Sequence, residues 1–245
     1  MNSLRTINIF KDIDTMSLAV AELIKQRSCL VQESEFFNIA VSGGNTPMRL
    51  FQLLGQNYSQ QLNWERIRLF WVDERCVEPT HKESNYGMTY QNLLQKKLIP
   101  ETNVFRMHGE ANASSEAQRY EHLLRDKLTV SNGFPVFDLI LLGMGDDGHT
   151  ASIFPPNLEL LDTDAAVSVG TNPYSLQQRI TLTGKTINAA KHVLFMITGN
   201  NKALIMKHIM TNSPEALNYP ANYIQPIAGN LDFFLDEPAA SQLVL

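Results

Sequence analysis

Cysteine is scarce in this chain. Cys29 and Cys76 are the only two in 245 residues, too few for a disulfide framework, so both are read as reduced thiols. No apolar run approaches the length of a bilayer-spanning helix. Met1–Lys11 lacks the charged head and apolar stretch of a secretory signal, and together these absences set a cytoplasmic expectation. Positive charge is also thin: 20 Lys and Arg face 25 Asp and Glu, giving a formal charge of −5. The basic residues are scattered, so neither a nucleic-acid face nor a membrane partner is expected. The six histidines show no metal-ligand spacing, and no metal is expected. No serine occupies a nucleophile elbow and neither cysteine adjoins an obvious base, which leaves water as the nucleophile of any hydrolytic reaction. Repeats, low-complexity tracts and linker-like stretches are missing too, so residues 1–245 read as one domain.

The chain does contain a regular alternation of apolar runs and helical periodicity. With 44% hydrophobic residues it can fill a large core. The pattern predicts an α/β, doubly wound, mainly parallel sheet with helices on both faces, a Rossmann-like arrangement. Strands are expected at Ile7–Phe10, Phe37–Val41, Ile67–Val72, Val104–Met107, Phe137–Leu142 and Val193–Thr198. Shorter, peripheral ones are expected at Ala165–Val169 and Arg179–Thr183, and in the tail at Tyr223–Gln225 and Phe233–Leu235. Helices are expected at Asp14–Gln32, from Thr46, at Asn85–Lys97, Ser115–Leu128 and Lys202–Met210.

Four strand ends carry glycine or polar residues: Ser42-Gly-Gly-Asn-Thr-Pro47, Asp73-Glu-Arg75, Gly143–His149 and Gly199-Asn-Asn-Lys202. Ligands in open α/β sheets bind beyond the carboxyl ends of strands, so a shared edge would gather these four into one cleft. In the first, Pro47 suits an opening helical turn and Asn45 or Thr46 can cap it. The free N–H groups there attract anions, although an ordinary strand-to-helix turn has the same local look. It is not a P-loop, because Gly-Lys-Ser/Thr is missing. In the second, Asp73 can orient water or a hydroxyl. Arg75 can hold an anion or a developing oxyanion; taken alone, the segment reads equally as a solvated loop. The third matches Gly-x-Gly-x-x-Gly literally. A dinucleotide site is disfavoured there, because Asp146 and Asp147 would repel a pyrophosphate. The better reading makes His149 a general base and Asp147 its orienter. Arg179, and Lys202 at a helix start, can form a second anion clamp; a cation at a helix N-terminus makes sense when an anion shares the place.

At these residues the chain resembles the 6-phosphogluconolactonase family, within the superfamily that includes glucosamine-6-phosphate deaminase. The resemblance runs from about Phe37 to Leu235. It rests on Ser42–Pro47, Asp73–Val77 with Ser84-Asn85, Gly143–Pro155, and Arg179–Thr183 with Gly199 and Lys202. The deaminases carry Asp-Glu-Tyr where this chain has Asp73-Glu74-Arg75, and a glutamate where it has Ile153-Phe154-Pro155. Two departures from the lactonases are Asp146, where many carry proline, an exchange expected to be tolerated, and Asn172–Ser175, which lacks a proline- and lysine-rich run.

The resemblance implies a glucosamine-6-phosphate deaminase-like fold. It also implies hydrolysis of 6-phospho-D-glucono-1,5-lactone to 6-phospho-D-gluconate in the oxidative pentose phosphate pathway, without metal or organic cofactor. His149, Asp147, Asp73 and Arg75 would be catalytic. Ser42, Gly43, Gly44, Thr46, Arg179 and Lys202 would bind the phosphate of a small-molecule sugar-phosphate lactone. The competing expectations are a deaminase or isomerase of an amino-sugar phosphate and a non-catalytic sugar-phosphate sensor.

Overall fold

The computed structural model describes residues 5–32 and 34–244. In chain order the elements are β1 (Arg5–Phe10), α1 (Ile13–Cys29), β2 (Phe37–Val41), α2 (Asn45–Asn57), β3 (Ile67–Trp71), β4 (Asp73–Arg75), α3 (Asn85–Asn92), β5 (Val104–Phe105), α4 (Ala113–Lys127), β6 (Val130–Ser131), β7 (Phe134–Pro135), β8 (Leu139–Leu142), β9 (Val167–Thr171), β10 (Gln178–Leu182), α5 (Gly184–Asn188), β11 (His192–Ile197), α6 (Ala203–Thr211), β12 (Asn230–Asp236) and α7 (Glu237–Ala240). Seven strands form one sheet in the order β1-β12-β11-β8-β2-β3-β5, and every pairing in it is parallel.

Alternation along these strands splits the core into two layers. Ile39 and Val41, Leu69 and Trp71, Leu139 and Leu141, Leu194 and Met196 face α1 and α2, packing on Met16, Val20, Ile24, Leu50 and Phe51. Ala40, Phe70, Ile140 and Leu142, Val193, Phe195 and Ile197 point the other way, onto Tyr120 and Leu124 of α4 and Ile205, Met206 and Ile209 of α6. Both faces are covered, which is why the central strands read as continuous apolar runs rather than as alternating ones. The helices start where side chains supply caps: Asp12 accepts from Thr15 N–H at 2.9 Å before α1, Ser84 from Gly87 N–H at 3.0 Å before α3, and Asn112 from Ser115 N–H at 3.1 Å before α4.

Several expectations are corrected. Phe233–Leu235 belongs to the seven-residue β12, an interior strand between β1 and β11 rather than a short tail strand. Tyr223–Gln225 is not a strand; it closes a 3-10 turn at Pro220–Tyr223. The helix expected over Asn85–Lys97 ends at Asn92, and a 3-10 turn at Leu94–Lys96 follows. Asp73–Arg75 is a strand rather than a loop, in a small antiparallel sheet ordered β4-β10-β9. That sheet places Arg179 directly across from Arg75.

The sheet order reverses direction at the β2–β8 pair. The chain goes from β2 outward through β3 to β5, then returns to β8 and runs the other way through β11 to β12. A crevice opens at such a switch point, beyond the carboxyl ends of the strands.

Candidate active site

All four glycine-rich or polar strand ends meet in that crevice. A cavity of about 320 Å³ is lined by Ser42–Pro47, Asp73, Arg75, Asn85, Gly143–Gly145, His149, Ala151, Arg179, Met196–Thr198 and Lys202. It contains nine of the ten residues singled out from sequence. Asp147, the tenth, lies outside that lining and contacts His149 Nδ1.

The glycine turn after β2 is shaped by two constraints. Gly44 has φ of 107°, a left-handed backbone that disfavours any side chain. A Cβ on Gly43 would lie 1.7 Å from Asn85 Oδ1. Gly44 is also the N-cap of α2, and no side chain caps that helix. The expected cap by Asn45 or Thr46 is therefore corrected. Asn45 and Thr46 lie within the first turn, and Thr46 Oγ1 bonds Thr198 Oγ1 at 2.9 Å, tying the turn to the loop after β11. The opening N–H groups of α2 have no intrahelical acceptor and sit at the positive end of the helix dipole. Ser42 donates its hydroxyl hydrogen to the Leu141 carbonyl at 2.9 Å, so its side chain secures the turn rather than offering a donor.

His149 is built from its own turn. Its Nδ1 lies 2.6 Å from Asp147 Oδ1, and its main-chain N–H donates to the same oxygen at 3.0 Å. A hydrogen on Nδ1 leaves the lone pair on Nε2. The ring stacks over Gly145, where a Cβ would fall 2.1 Å from its Cε1 and Nδ1, and lies 4.6 Å from the ring of Phe154. Burial alone would raise the Asp147 carboxyl. The His149 ring and N–H and the Tyr174 hydroxyl outweigh it and hold the group at about 2. Tyr174 donates to Asp147 Oδ2 at 3.1 Å from the tip of the β9–β10 hairpin.

Asp73 is buried and fixed at both oxygens: Ser152 Oγ donates to Oδ2 at 2.6 Å and Asn85 Nδ2 to Oδ1 at 3.1 Å. Its neighbour Glu74 turns away from the cavity. The carboxylate of Glu74 accepts from the N–H groups of Arg75, Asn85 and Tyr86 at 2.8, 2.7 and 2.8 Å and from Ser84 Oγ at 3.1 Å, anchoring the start of α3. Burial pushes its carboxyl upward against those donors.

Arg75 and Arg179 are direct cross-strand neighbours, and each has a buried Nε without a partner. Arg75 Nη1 donates to the Glu83 carbonyl. Burial lowers the Arg179 guanidinium, and the charge of Asp73 partly restores it. Like charges directly opposite each other repel, and an anion between them relieves the repulsion. Lys202 reaches the cavity from the 3-10 turn Asn200–Lys202 rather than from the α-helix itself, with Nζ on Asp146 Oδ1. Gly199, at φ of 99°, donates its N–H to both Asp236 carboxylate oxygens at 3.0 Å, which pins this loop to the end of β12.

Sequence reasoning gave no role to Asn85, Ser152 or Tyr174. Asn85 and Ser152 lie inside the quoted motifs, but their polar groups act only across the fold. Tyr174 lies in the hairpin tip that departs from the family pattern. Among the described residues no cluster of three His, Cys, Asp or Glu side chains converges as a metal centre would. No described helix is long and apolar enough to cross a membrane.

The family described as glucosamine-6-phosphate isomerases/6-phosphogluconolactonase matches residues 11–233. A 6-phosphogluconolactonase of Haemophilus influenzae is 38% identical over 230 residues, covering 94% of this chain and 97% of its own. One from Synechocystis is 42% identical over 207 residues, 84% of each chain. A solved structure named devB protein superposes with a TM-score of 0.92 at 36% identity, covering 98% of this chain and 100% of its own. On these matches, and on a crevice that brings the shared motifs together, the chain belongs to the glucosamine-6-phosphate isomerase/6-phosphogluconolactonase family.

Proposed function

We propose that this protein hydrolyses 6-phospho-D-glucono-1,5-lactone to 6-phospho-D-gluconate, with His149 as the general base on water, in the oxidative pentose phosphate pathway. The observation that carries this reading is the His149–Asp147 pair opening onto the same cavity as the glycine turn and three cationic side chains. A phosphorylated ester needs both an anion cradle and an activated water.

In this mechanism Nε2 of His149 removes a proton from a water as its oxygen attacks the lactone carbonyl. The carbonyl electrons move onto oxygen, and Arg75 is placed to offset that charge or the charge of the phosphate. The tetrahedral intermediate then collapses, the ring C–O bond breaks, and the imidazolium returns its proton to the departing ring oxygen. Asp147 keeps the ring oriented and stabilises its charged form. Asp73, immobilised by Ser152 and Asn85, positions water or a sugar hydroxyl. The backbone of Ser42, Gly43, Gly44 and Thr46, with Arg179 and Lys202, holds the phosphate. General-base catalysis of this kind contributes about 10²–10⁴-fold.

The deaminase reading is weakened by the residues after His149. Ile153 and Phe154 are fully buried apolar side chains, so no carboxyl group stands there for proton shuttling. The test follows lactone loss in a freshly coupled glucose-6-phosphate dehydrogenase reaction, with spontaneous opening subtracted. Acceleration by the protein, with no ammonia released from glucosamine 6-phosphate, is the expected result. Ammonia release, or sugar-phosphate binding without lactone loss, would overturn it.

A further inference from the structure

Asp146 projects from the same turn as Asp147 but serves the opposite side of the cavity. Its Oδ1 accepts from Lys202 Nζ and, at 2.7 Å, from Asn201 Nδ2. The two members of the ion pair differ in setting: the Lys202 side chain is 11% exposed and that of Asp146 is 74% exposed. The lysine is sunk in the cavity wall, and the carboxylate reaches in to it from solvent.

We infer that Asp146 is an internal competitor that sets the affinity of the site, occupying Lys202 until the phosphate of the substrate displaces it. This rests on the proposed function in taking Lys202 as a phosphate ligand. A phosphate monoester carries about −1.5 to −2 charge at pH 7 and offers three acceptor oxygens, against one charge on the carboxylate. The exchange therefore favours the phosphate. Asp146 leaves easily, because an exposed carboxylate regains its hydration when it swings out and an exposed pair holds little free energy. Displacing the carboxylate costs the same for every ligand that uses Lys202, so Asp146 sets how tightly the site binds an anion rather than which anion it prefers. Asn201 keeps the competitor in place by bonding the same oxygen. Asp147, one residue on, is committed to His149 and Tyr174 and takes no part.

The test compares wild type, Asp146→Asn, Lys202→Gln and the double variant at low ionic strength. Asp164→Asn removes the same formal charge from a residue that pairs with Lys185 outside the cavity lining, and serves as control. Asp146→Asn is expected to lower KM for the lactone, and the dissociation constant for inorganic phosphate, by about two- to five-fold, the range of an exposed ion pair. Its kcat should stay within about two-fold, because uniform binding is what changes. With Lys202→Gln in place, Asp146→Asn should have no further effect, and about 0.5 M salt should erase most of the difference, because salt screens exposed charges. A KM for Asp146→Asn equal to or above wild type would overturn the inference, as would an equal fall in the control or in the Lys202→Gln background. A wild type that opens no lactone would refute the proposed reaction instead; phosphate binding would still decide whether Asp146 competes for Lys202.

Discussion

Replacing Asp147 with asparagine separates the charge of that side chain from its shape. Oδ1 accepts from both the N–H and the Nδ1 of His149, at 3.0 and 2.6 Å, while Oδ2 accepts from Tyr174 at 3.1 Å. A main-chain N–H can only donate, so it selects the amide oxygen for the Oδ1 position. The amide NH₂ then faces Tyr174, whose oxygen can accept. The Nδ1–H tautomer survives and only the charge is lost. A hydrogen bond to a charged group contributes about 1.5–3 kcal/mol and a neutral one about 0.5–1.5 kcal/mol. The difference, about 1–1.5 kcal/mol, corresponds to about 5- to 15-fold in kcat/KM. In Ser-His-Asp hydrolases, where asparagine imposes the wrong tautomer, the loss is about 10⁴-fold. Asp147→Ala, which leaves both His149 donors without an acceptor, should cost about 10²-fold or more. The assay is initial-rate lactone loss with the uncatalysed rate subtracted and folding checked by circular dichroism. A loss beyond about 10³-fold in Asp147→Asn would mean the ring has switched tautomer, and a loss under about two-fold that the charge is idle; either refutes the reasoning.

Asp147 also sets a pH dependence. Its carboxyl sits at about 2 in the fold, below the ordinary 3.8, so its contribution to stability is complete above that ordinary value and lost as pH falls through about 2. In urea titrations the advantage of wild type over Asp147→Asn should shrink as pH falls from about 4 toward 2; an advantage that grows over that range would contradict this. Gly145→Ala should fold but displace the His149 ring, which its Cβ would meet at 2.1 Å, so kcat should fall at least about ten-fold while product binding changes little. Unchanged turnover would show that the ring position does not matter. Tyr174→Phe should lower kcat/KM by only about two- to five-fold, because the donor it removes is exposed and Asp147 keeps both His149 contacts. Glu74→Gln should lower Tm by roughly 5–10 °C, since an NH₂ would face donors where a carboxylate now accepts four of them. A Tm within about 1 °C of wild type would remove that role.

The central strands were legible because burial on both faces leaves an uninterrupted apolar signature, and their carboxyl ends were legible because glycine and charge follow directly. Element order therefore led to the crevice. What the sequence hid depends on partners distant in the chain. β12 carries Asp232 in its middle, a residue that argues against an interior strand. It is satisfied by His192 Nε2 at 2.8 Å and by Thr6, on the two flanking strands. The short β4 looks like a charged loop until β10 pairs with it. The capping expectation failed because α2 begins at Asn45 with Gly44 at the N-cap, so Asn45 and Thr46 fall inside its first turn. The contact between Asp146 and Lys202 could not be read from sequence, because the two lie 56 residues apart. Tyr174, on a hairpin tip with no regular pattern, becomes meaningful only when that tip folds back onto Asp147.

The proposed reaction depends most on His149 acting as a base beside the glycine turn. The direct measurement is kcat for His149→Ala in the coupled lactone assay, with circular dichroism and phosphate binding confirming an intact fold and cavity. A fall of at least about 10²-fold with phosphate binding retained is predicted. Wild-type turnover from that folded variant would contradict it.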